Sequence, residues 1–185
     1  MNMGSFEQTS MPGVWLIKPK VFKDERGHFL ETFRQEVLKK EGIHDEFVQD
    51  NISKSVKGTL RGLHYQLPPS SQAKFVMAVS GTILDVAVDM RKYSETFGEH
   101  FASELSDENR HIMYIPSGFA HGFSVLSEEA TVYYKCSDYY NKEVEKGVRW
   151  DDPDLNIDWR VDNPILSNKD QSLPYLKDVD KSDLF

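Results

Sequence analysis

Two segments of this 185-residue chain each carry a histidine among glycines and other polar side chains. Residues 58–66 contain Arg61 and His64, and residues 114–123 contain His121. Both segments have an extended, glycine-punctuated character, and two histidines on separate strands are what a binding cavity inside a β-barrel requires. Such a pair predicts either a metal site or a site of proton transfer, because neutral imidazole serves in both.

The glycine and proline spacings around the two histidines partly match the paired motifs of cupins. A metal-binding cupin places a second histidine two residues after the first and a glutamate soon after it. Here Gln66 takes the first of those positions, and residues 67–71 offer no carboxylate. Metal sites take three or four nitrogen, sulfur or carboxylate ligands, so we expect a barrel without a metal.

His64 is then a candidate general base, which a neutral histidine can be near pH 7. A structural histidine is the alternative, and the polar crowding by Arg61, Gln66 and Lys74 disfavours it. Arg61 and Lys74 are also candidates for binding an anion. Strict strand alternation places Arg61 and His64 on opposite faces, so a shared site predicts a β-bulge at Gly62.

Tyr134 is the candidate proton donor. In residues 131–137, alternation places Tyr134 on the same face as Val132 and Cys136, which directs the phenol inward. A core tyrosine bonded to the backbone is an equal alternative on this pattern alone.

The elements that must position these side chains are predicted to be short strands with turns between them. Strands are expected at residues 74–79, 82–89, 101–105, 112–115, 122–126 and 131–137. Ser80-Gly81 favours a hairpin between the first two, and residues 32–41 before Gly42 favour one short helix. After about residue 143, prolines indicate an extended segment wrapped on the core. The pattern predicts one domain over residues 1–185 with an all-β fold, a cupin-like jelly-roll barrel with a few short helices and an extended C-terminal segment.

Composition excludes several classes of protein. The net charge of −8 argues against a nucleic-acid binder, although a small anionic ligand remains compatible if basic residues cluster. No apolar run approaches the ~20 residues of a membrane span. Residues 1–10 are polar and show no secretory signal. Cys136 is the single cysteine, so no internal disulfide can form, and we expect a cytoplasmic protein.

The motifs together resemble those of the dTDP-4-dehydrorhamnose 3,5-epimerase family, in one uninterrupted order from about residue 14 to 175. The matching segments are residues 22–33 (FxDxRGxFxExF), 49–53 (QDNxS), 58–66, 81–91 (GxIxDVAVDxR), 115–123, 134–140 and 150–153 (WxDP). The resemblance implies a cupin-like homodimer without metal or cofactor. It also implies a substrate that is a 4-keto-6-deoxyhexose carried on dTDP, inverted at C3 and C5.

By this resemblance, His64 removes the proton next to the C4 ketone and Asp170 is its carboxylate partner. Tyr134 reprotonates the enolate from the opposite face, and Lys74 stabilises the enolate oxygen. The remaining matching positions contact the substrate, with Arg26 and Glu31 reaching it across the dimer. They are Arg26, Glu31, Gln49, Asp50, Asn51, Arg61, His121, Tyr140, Glu145 and Lys169.

Two other functions remain open from the sequence. One is a related epimerase that inverts a single carbon, since it would keep the same base and acid. The other is a non-catalytic cupin that binds a sugar nucleotide or a metal. The second is disfavoured because binding alone does not call for both His64 and Tyr134.

Overall fold

The computed structural model describes residues 3–185 and consists mainly of antiparallel strands. The sequence predicted that residues 1–10 are not a secretory signal, and the first two of them, Met1 and Asn2, lie outside the described residues. The strands are β1 Gly4–Gln8, β2 Trp15–Pro19, β3 Val21–Asp24, β4 Gly27–Leu30, β5 Gln49–Val56, β6 Leu60–Gln66, β7 Lys74–Ser80, β8 Thr82–Asp89, β9 His100–Ser106, β10 Ile112–Ile115, β11 Phe119–Val125, β12 Glu129–Cys136 and β13 Glu145–Gly147. The helices are α1 Gln35–Lys40 and α2 Asn168–Gln171, followed by 3-10 turns at Leu176–Asp178 and Lys181–Asp183.

The strands form two large sheets and one small arm. The six-stranded sheet has the order β1-β2-β10-β7-β12-β5, and the five-stranded sheet has the order β13-β6-β11-β8-β9. Apolar residues from both sheets, among them Val76, Ala87, Phe123 and Val132, pack into one core between them. Among the described strands, β3 and β4 pair only with each other. The predicted all-β, cupin-like fold is confirmed.

The five-stranded sheet is covered on its outer face by the C-terminal segment. Val86 and Val88 of β8 pack in one cluster with Leu155 and Trp159, which lie beyond the last strand. Because Ile83 and Ala87 face the inner core, β8 is buried on both sides. No helix within residues 3–185 is long and apolar enough to cross a membrane.

The predicted hairpin at Ser80-Gly81 is wrong. Strands β7 and β8 have nearly the expected bounds, but β7 belongs to the six-stranded sheet and β8 to the five-stranded sheet. Gly81 turns the corner between the sheets with a φ of +73°, and a Cβ there would lie 2.1 Å from the carbonyl oxygen of Glu129. A Ser-Gly turn fits both arrangements, since its local chemistry does not fix strand pairing.

The predicted helix exists but begins later than expected. Arg34 is extended, with φ −151°, and the helix spans Gln35–Lys40 rather than residues 32–41. Phe33, which precedes it, packs edge-to-face against Phe47 and Phe75 with ring centroids 5.6 and 5.7 Å apart. This aromatic packing holds Phe33 in the loop that precedes α1. The helix therefore begins after it and has fewer than two turns.

Candidate functional site

A β-bulge in β6 brings Arg61 and His64 to the same side of their strand. His64 pairs with His121 of β11 and Arg61 pairs with Phe123, so two residues of β6 lie opposite one of β11. The bulge requires glycine at position 62, where a Cβ would lie 2.5 Å from the Cα of Gly122. The bulge predicted from the Arg–His spacing is confirmed.

Two cavities between the sheets share the walls formed by His64, Lys74 and Tyr134. The inner cavity, of about 240 Å³, also reaches Arg61 and His121. The outer cavity, of about 320 Å³, extends to the mouth of the barrel and is also lined by Gln49, Asn51, Gln66, Gln72, Tyr140 and Glu145. His64 lies on the five-stranded sheet, whereas Lys74 and Tyr134 lie on the six-stranded sheet, so the shared walls face each other.

His64 is hydrogen-bonded to Asp170, with 2.6 Å between Nε2 and Oδ1. The second carboxylate oxygen of Asp170 accepts a hydrogen bond from the Ser167 hydroxyl at 2.7 Å, and Ser167 also caps α2. Burial alone would raise the pKa of Asp170, but the hydrogen bonds from His64 and Ser167 outweigh it and lower the pKa. An ionised carboxylate only accepts, so Nε2 of His64 carries a hydrogen and Nδ1 has the free lone pair.

A second histidine–carboxylate pair lies beside the first. His121 Nε2 is 2.7 Å from Oδ1 of Asp85, and both side chains are almost fully buried. Burial lowers the pKa of His121, although Asp85 opposes the shift, so the imidazole is neutral at pH 7. The other oxygen of Asp85 is buried and has no hydrogen-bond partner among residues 3–185. Asp85 was not among the predicted site residues, although it is a carboxylate inside the apolar strand β8 and belongs to the matching motif of residues 81–91.

Lys74 and Tyr134 face these histidines with their polar groups unbonded. Neither the ammonium of Lys74 nor the hydroxyl of Tyr134 makes a hydrogen bond to another residue within 3–185. Burial lowers the pKa of Lys74, while Cys136, Asp85 and Glu145 oppose the shift. Burial raises the pKa of the Tyr134 phenol, which therefore keeps its proton at neutral pH. The inward direction predicted for Tyr134 from alternation is confirmed.

The mouth of the outer cavity holds a connected polar group. The Tyr140 hydroxyl donates to Oε2 of Glu145 at 2.7 Å, and the Lys169 ammonium lies 2.5 Å from Oε1 of the same carboxylate. Burial would raise the pKa of Glu145, but the hydrogen bonds from Lys169 and Tyr140 lower it. Gln49 and Asn51 are bonded to each other at 3.1 Å on the adjacent wall.

Four predicted binding residues do not line these cavities: Lys169, which reaches the mouth through its ion pair with Glu145, and Asp50, Arg26 and Glu31. Asp50 lies on the outer face of β5, where its carboxylate accepts from Lys135 Nζ at 2.6 Å. Arg26 is exposed on the β3–β4 arm and bonded to Asp24, and Glu31 pairs with Arg34 beyond the arm. Strand alternation separates Asp50 from Gln49 and Asn51. The roles of Asp50, Arg26 and Glu31 in binding stay predictions.

The donor chemistry of the site suits proton transfer. Each cavity histidine already bonds a carboxylate through Nε2, and within residues 3–185 no group of three or more His, Cys, Asp or Glu is arranged to hold a metal ion. A base fixed by a carboxylate, a cation and a protonated phenol across one cavity are the groups that enolate chemistry uses. Fold and site together define a cupin-like acid–base enzyme.

Comparison with known proteins identifies the family. A family model described as dTDP-4-dehydrorhamnose 3,5-epimerase matches residues 8–178. A curated enzyme of that name from Shigella flexneri is 54% identical over 164 residues, which cover 88% of this chain and 91% of its own length. The chain belongs to the dTDP-4-dehydrorhamnose 3,5-epimerase family.

Solved structures agree with this assignment. The dTDP-6-deoxy-D-glucose-3,5-epimerase of Legionella pneumophila, in complex with dTDP-4-keto-L-rhamnose, superposes with a TM-score of 0.94 at 44% identity, over 97% of this chain and 96% of that chain. A 3'-monoepimerase from Streptomyces bikiniensis, in complex with dTDP-quinovose, has a TM-score of 0.85 at 36% identity, over 91% and 86% of the chains. Enzymes of single-carbon outcome therefore share this fold.

Proposed function

We propose that this chain converts dTDP-4-dehydro-6-deoxy-D-glucose to dTDP-4-dehydro-L-rhamnose by inverting C3 and C5. The observation that carries the proposal is the His64–Asp170 pair on one sheet facing Lys74 and Tyr134 on the other. C3 and C5 both lie next to the C4 ketone, so one set of groups can serve both carbons. Identity to 3,5-epimerases over most of the chain supports inversion at both carbons rather than one.

The first step is removal of a proton by His64. Asp170 accepts the hydrogen on Nε2, which fixes the tautomer and leaves Nδ1 to take the proton from carbon. The same carboxylate stabilises the imidazolium that forms. The electron pair of the broken C–H bond moves onto the C4 oxygen and forms an enolate.

Lys74 and Tyr134 complete the reaction from the facing sheet. The Lys74 ammonium has no protein hydrogen bond, so its donors are free for the enolate oxygen. Tyr134, protonated at neutral pH, returns a proton to the carbon from the side opposite His64. Return on the opposite face inverts the carbon. The ketone supplies the acidity, so the proposed chemistry uses no metal and no cofactor.

The remaining cavity residues are proposed to bind the sugar nucleotide. Arg61 and His121 line the inner cavity, where they contact the sugar. The aromatic ring of Tyr140 lies at the mouth of the cavity, and the thymine base is proposed to stack on it. Gln49, Asn51 and Glu145 complete the proposed nucleotide site within the outer cavity. Asp50 and Lys169, which do not line the cavity, are proposed as further contacts at its edge.

The active unit is proposed to be a homodimer. Within residues 3–185 the β3–β4 arm pairs with no other strand, and it exposes Phe22 and Phe29, which are 42% and 60% accessible. The two exposed phenylalanine rings on this arm suit contact with a second copy of the chain. Arg26 and Glu31, on and just beyond the arm, would then reach the neighbouring site. A cytoplasmic location is also proposed, supported by Cys136 being a buried free thiol.

The experiment that tests this function is the configuration of the product. Purified protein is incubated with dTDP-4-dehydro-6-deoxy-D-glucose, the product is reduced chemically, and proton NMR assigns C3 and C5. The L-rhamnose configuration, or its C4 epimer, is expected from the wild type, and unchanged sugar from His64→Ala. Inversion at C3 alone would establish the single-carbon enzyme instead.

A further inference from the structure

Glutamine side chains make hydrogen bonds to the backbone of all four residues of the segment 138–141, at the mouth of the outer cavity. Gln72 Nε2 donates to the Asp138 carbonyl at 2.7 Å, and Gln66 Nε2 donates to the Tyr139 carbonyl at 3.2 Å. The Tyr140 amide donates to Gln49 Oε1 at 2.9 Å, and the Asn141 amide donates to Gln66 Oε1 at 2.8 Å. The three glutamines come from β5, β6 and the loop before β7.

Gln66 is committed to this task. It is 4% exposed, and its amide nitrogen gives its second hydrogen bond to the Ser70 carbonyl at 2.6 Å. Both donors and the acceptor oxygen of the side chain are therefore used by the backbone. No donor of Gln66 remains for a ligand in the cavity, so we expect Gln66 to act on a ligand mainly through the segment that it holds.

Tyr140 is the side chain that this arrangement orients. Its amide is bound by Gln49 and its hydroxyl by Glu145, so the residue is held at both ends. The ring itself stays 55% exposed at the mouth of the cavity. An exposed tyrosine normally samples several rotamers, and binding must then pay the entropy of ordering it. Here the ring is ordered before a ligand arrives.

We propose that Gln66 and Gln72 are positioning residues that set the affinity for the nucleotide by holding Tyr140 in its stacking position. The proposal rests on the proposed function for the identity of the ligand, a thymidine diphosphate. It assigns to Gln66, which occupies a ligand position of metal-binding cupins, a part in recognition that acts through the backbone of residues 139 and 141.

The test compares the binding of dTDP and the steady-state kinetics of two variants. Gln66→Glu keeps an oxygen that accepts from the Asn141 amide, but it places a carboxylate against the carbonyl oxygens of Ser70 and Tyr139. Gln72→Ala removes the donor to the Asp138 carbonyl. We expect the Kd of dTDP and the KM of the dTDP-sugar to rise with kcat little changed. The rise should be about fivefold to tenfold for Gln72→Ala, which loses one hydrogen bond, and larger for Gln66→Glu, which loses two. Gln35→Ala is the matched control, because Gln35 also gives one hydrogen bond, of 2.9 Å, to a backbone carbonyl, that of Asp45. Its Kd should equal that of the wild type.

A double-mutant cycle separates positioning from general destabilisation. If Gln72 acts through the ring, Gln72→Ala should leave the Kd of dTDP unchanged when it is introduced into Tyr140→Ala. Effects of Gln72→Ala and Tyr140→Ala that add, or a Kd equal to that of the wild type in the single variants, would overturn the proposal.

Hydrogen exchange distinguishes failure of this proposal from failure of the proposed function. The amide of Asn141 should lose protection in Gln66→Ala but not in Gln35→Ala, whatever the ligand is. Unaltered protection overturns the positioning role. Absence of dTDP binding by the wild type, with protection lost as expected, overturns the nucleotide assignment and with it the proposed effect on affinity.

Discussion

His64 and Tyr134 face the same cavity from opposite sheets of the barrel, the histidine on β6 and the tyrosine on β12. The proposed base and the proposed acid would thus lie on different sides of a sugar bound between the sheets. An epimerase needs this separation, because a proton returned to the side from which it was taken restores the starting configuration. Lys74, on β7 of the same sheet as Tyr134, lines both cavities beside these two residues.

Replacing Tyr134 by Phe should separate the two halves of the reaction. His64 and Lys74 remain, so the enolate still forms and the substrate still exchanges its C–H hydrogens with solvent. Inversion should fall by about 10²-fold or more, the usual contribution of one positioned acid. Exchange and inversion are measured together by NMR in D2O. Inversion at the wild-type rate would show that another group is the acid.

The two histidine–carboxylate pairs should differ in their importance for stability. His121→Ala leaves Asp85 buried with neither oxygen bonded, which costs about 3–5 kcal/mol of the free energy of unfolding. His64→Ala leaves Asp170 bonded to the Ser167 hydroxyl, so about 1 kcal/mol is expected. Urea denaturation of the two variants makes the comparison. Equal losses would contradict the difference in how the carboxylates are satisfied.

The pH dependence of stability should carry the signature of His121. Burial holds its pKa below the ordinary 6.5, so below pH 6.5 the unfolded chain takes up a proton that the folded protein does not. Stability therefore decreases as pH falls through 6.5 toward the folded pKa, by up to ~1.4 kcal/mol per pH unit. Gln at position 121 can still donate to Asp85 but does not titrate. The stability difference between the wild type and His121→Gln should shrink from pH 7 to pH 5, and a constant difference would contradict a neutral buried imidazole.

Mixed dimers should test whether the β3–β4 arm serves the neighbouring site. Arg26→Ala and His64→Ala should each reduce activity on their own. In a mixed dimer, one site combines the intact His64 of one protomer with the intact Arg26 of the other. Unfolding and refolding the two variants together should therefore restore activity. His64→Ala mixed with Tyr134→Phe is the control, since both groups come from the same protomer and no intact site can form. No recovery in the first mixture would place Arg26 outside the partner's site.

The sequence predicted those features of the site that depend on local spacing. The bulge at Gly62 follows from two polar side chains three residues apart that must share a cavity, and the inward Tyr134 follows from alternation. Asp85 could not be found this way, because it lies 36 residues from His121 and only strand pairing between β8 and β11 joins them. The sequence also did not predict that the chain passes from one sheet to the other at Gly81. The reason is related, because strand partners are fixed by the packing of distant strands.

Solvent deuterium incorporation tests the central claim most directly. The wild type is incubated in D2O with dTDP-4-dehydro-6-deoxy-D-glucose, and the hydrogens at C3 and C5 are followed by NMR beside those of His64→Ala. We expect deuterium at both carbons with the wild type and at neither with the variant. Exchange at both carbons in His64→Ala, or no exchange in the wild type, would contradict the assignment of His64 as the base.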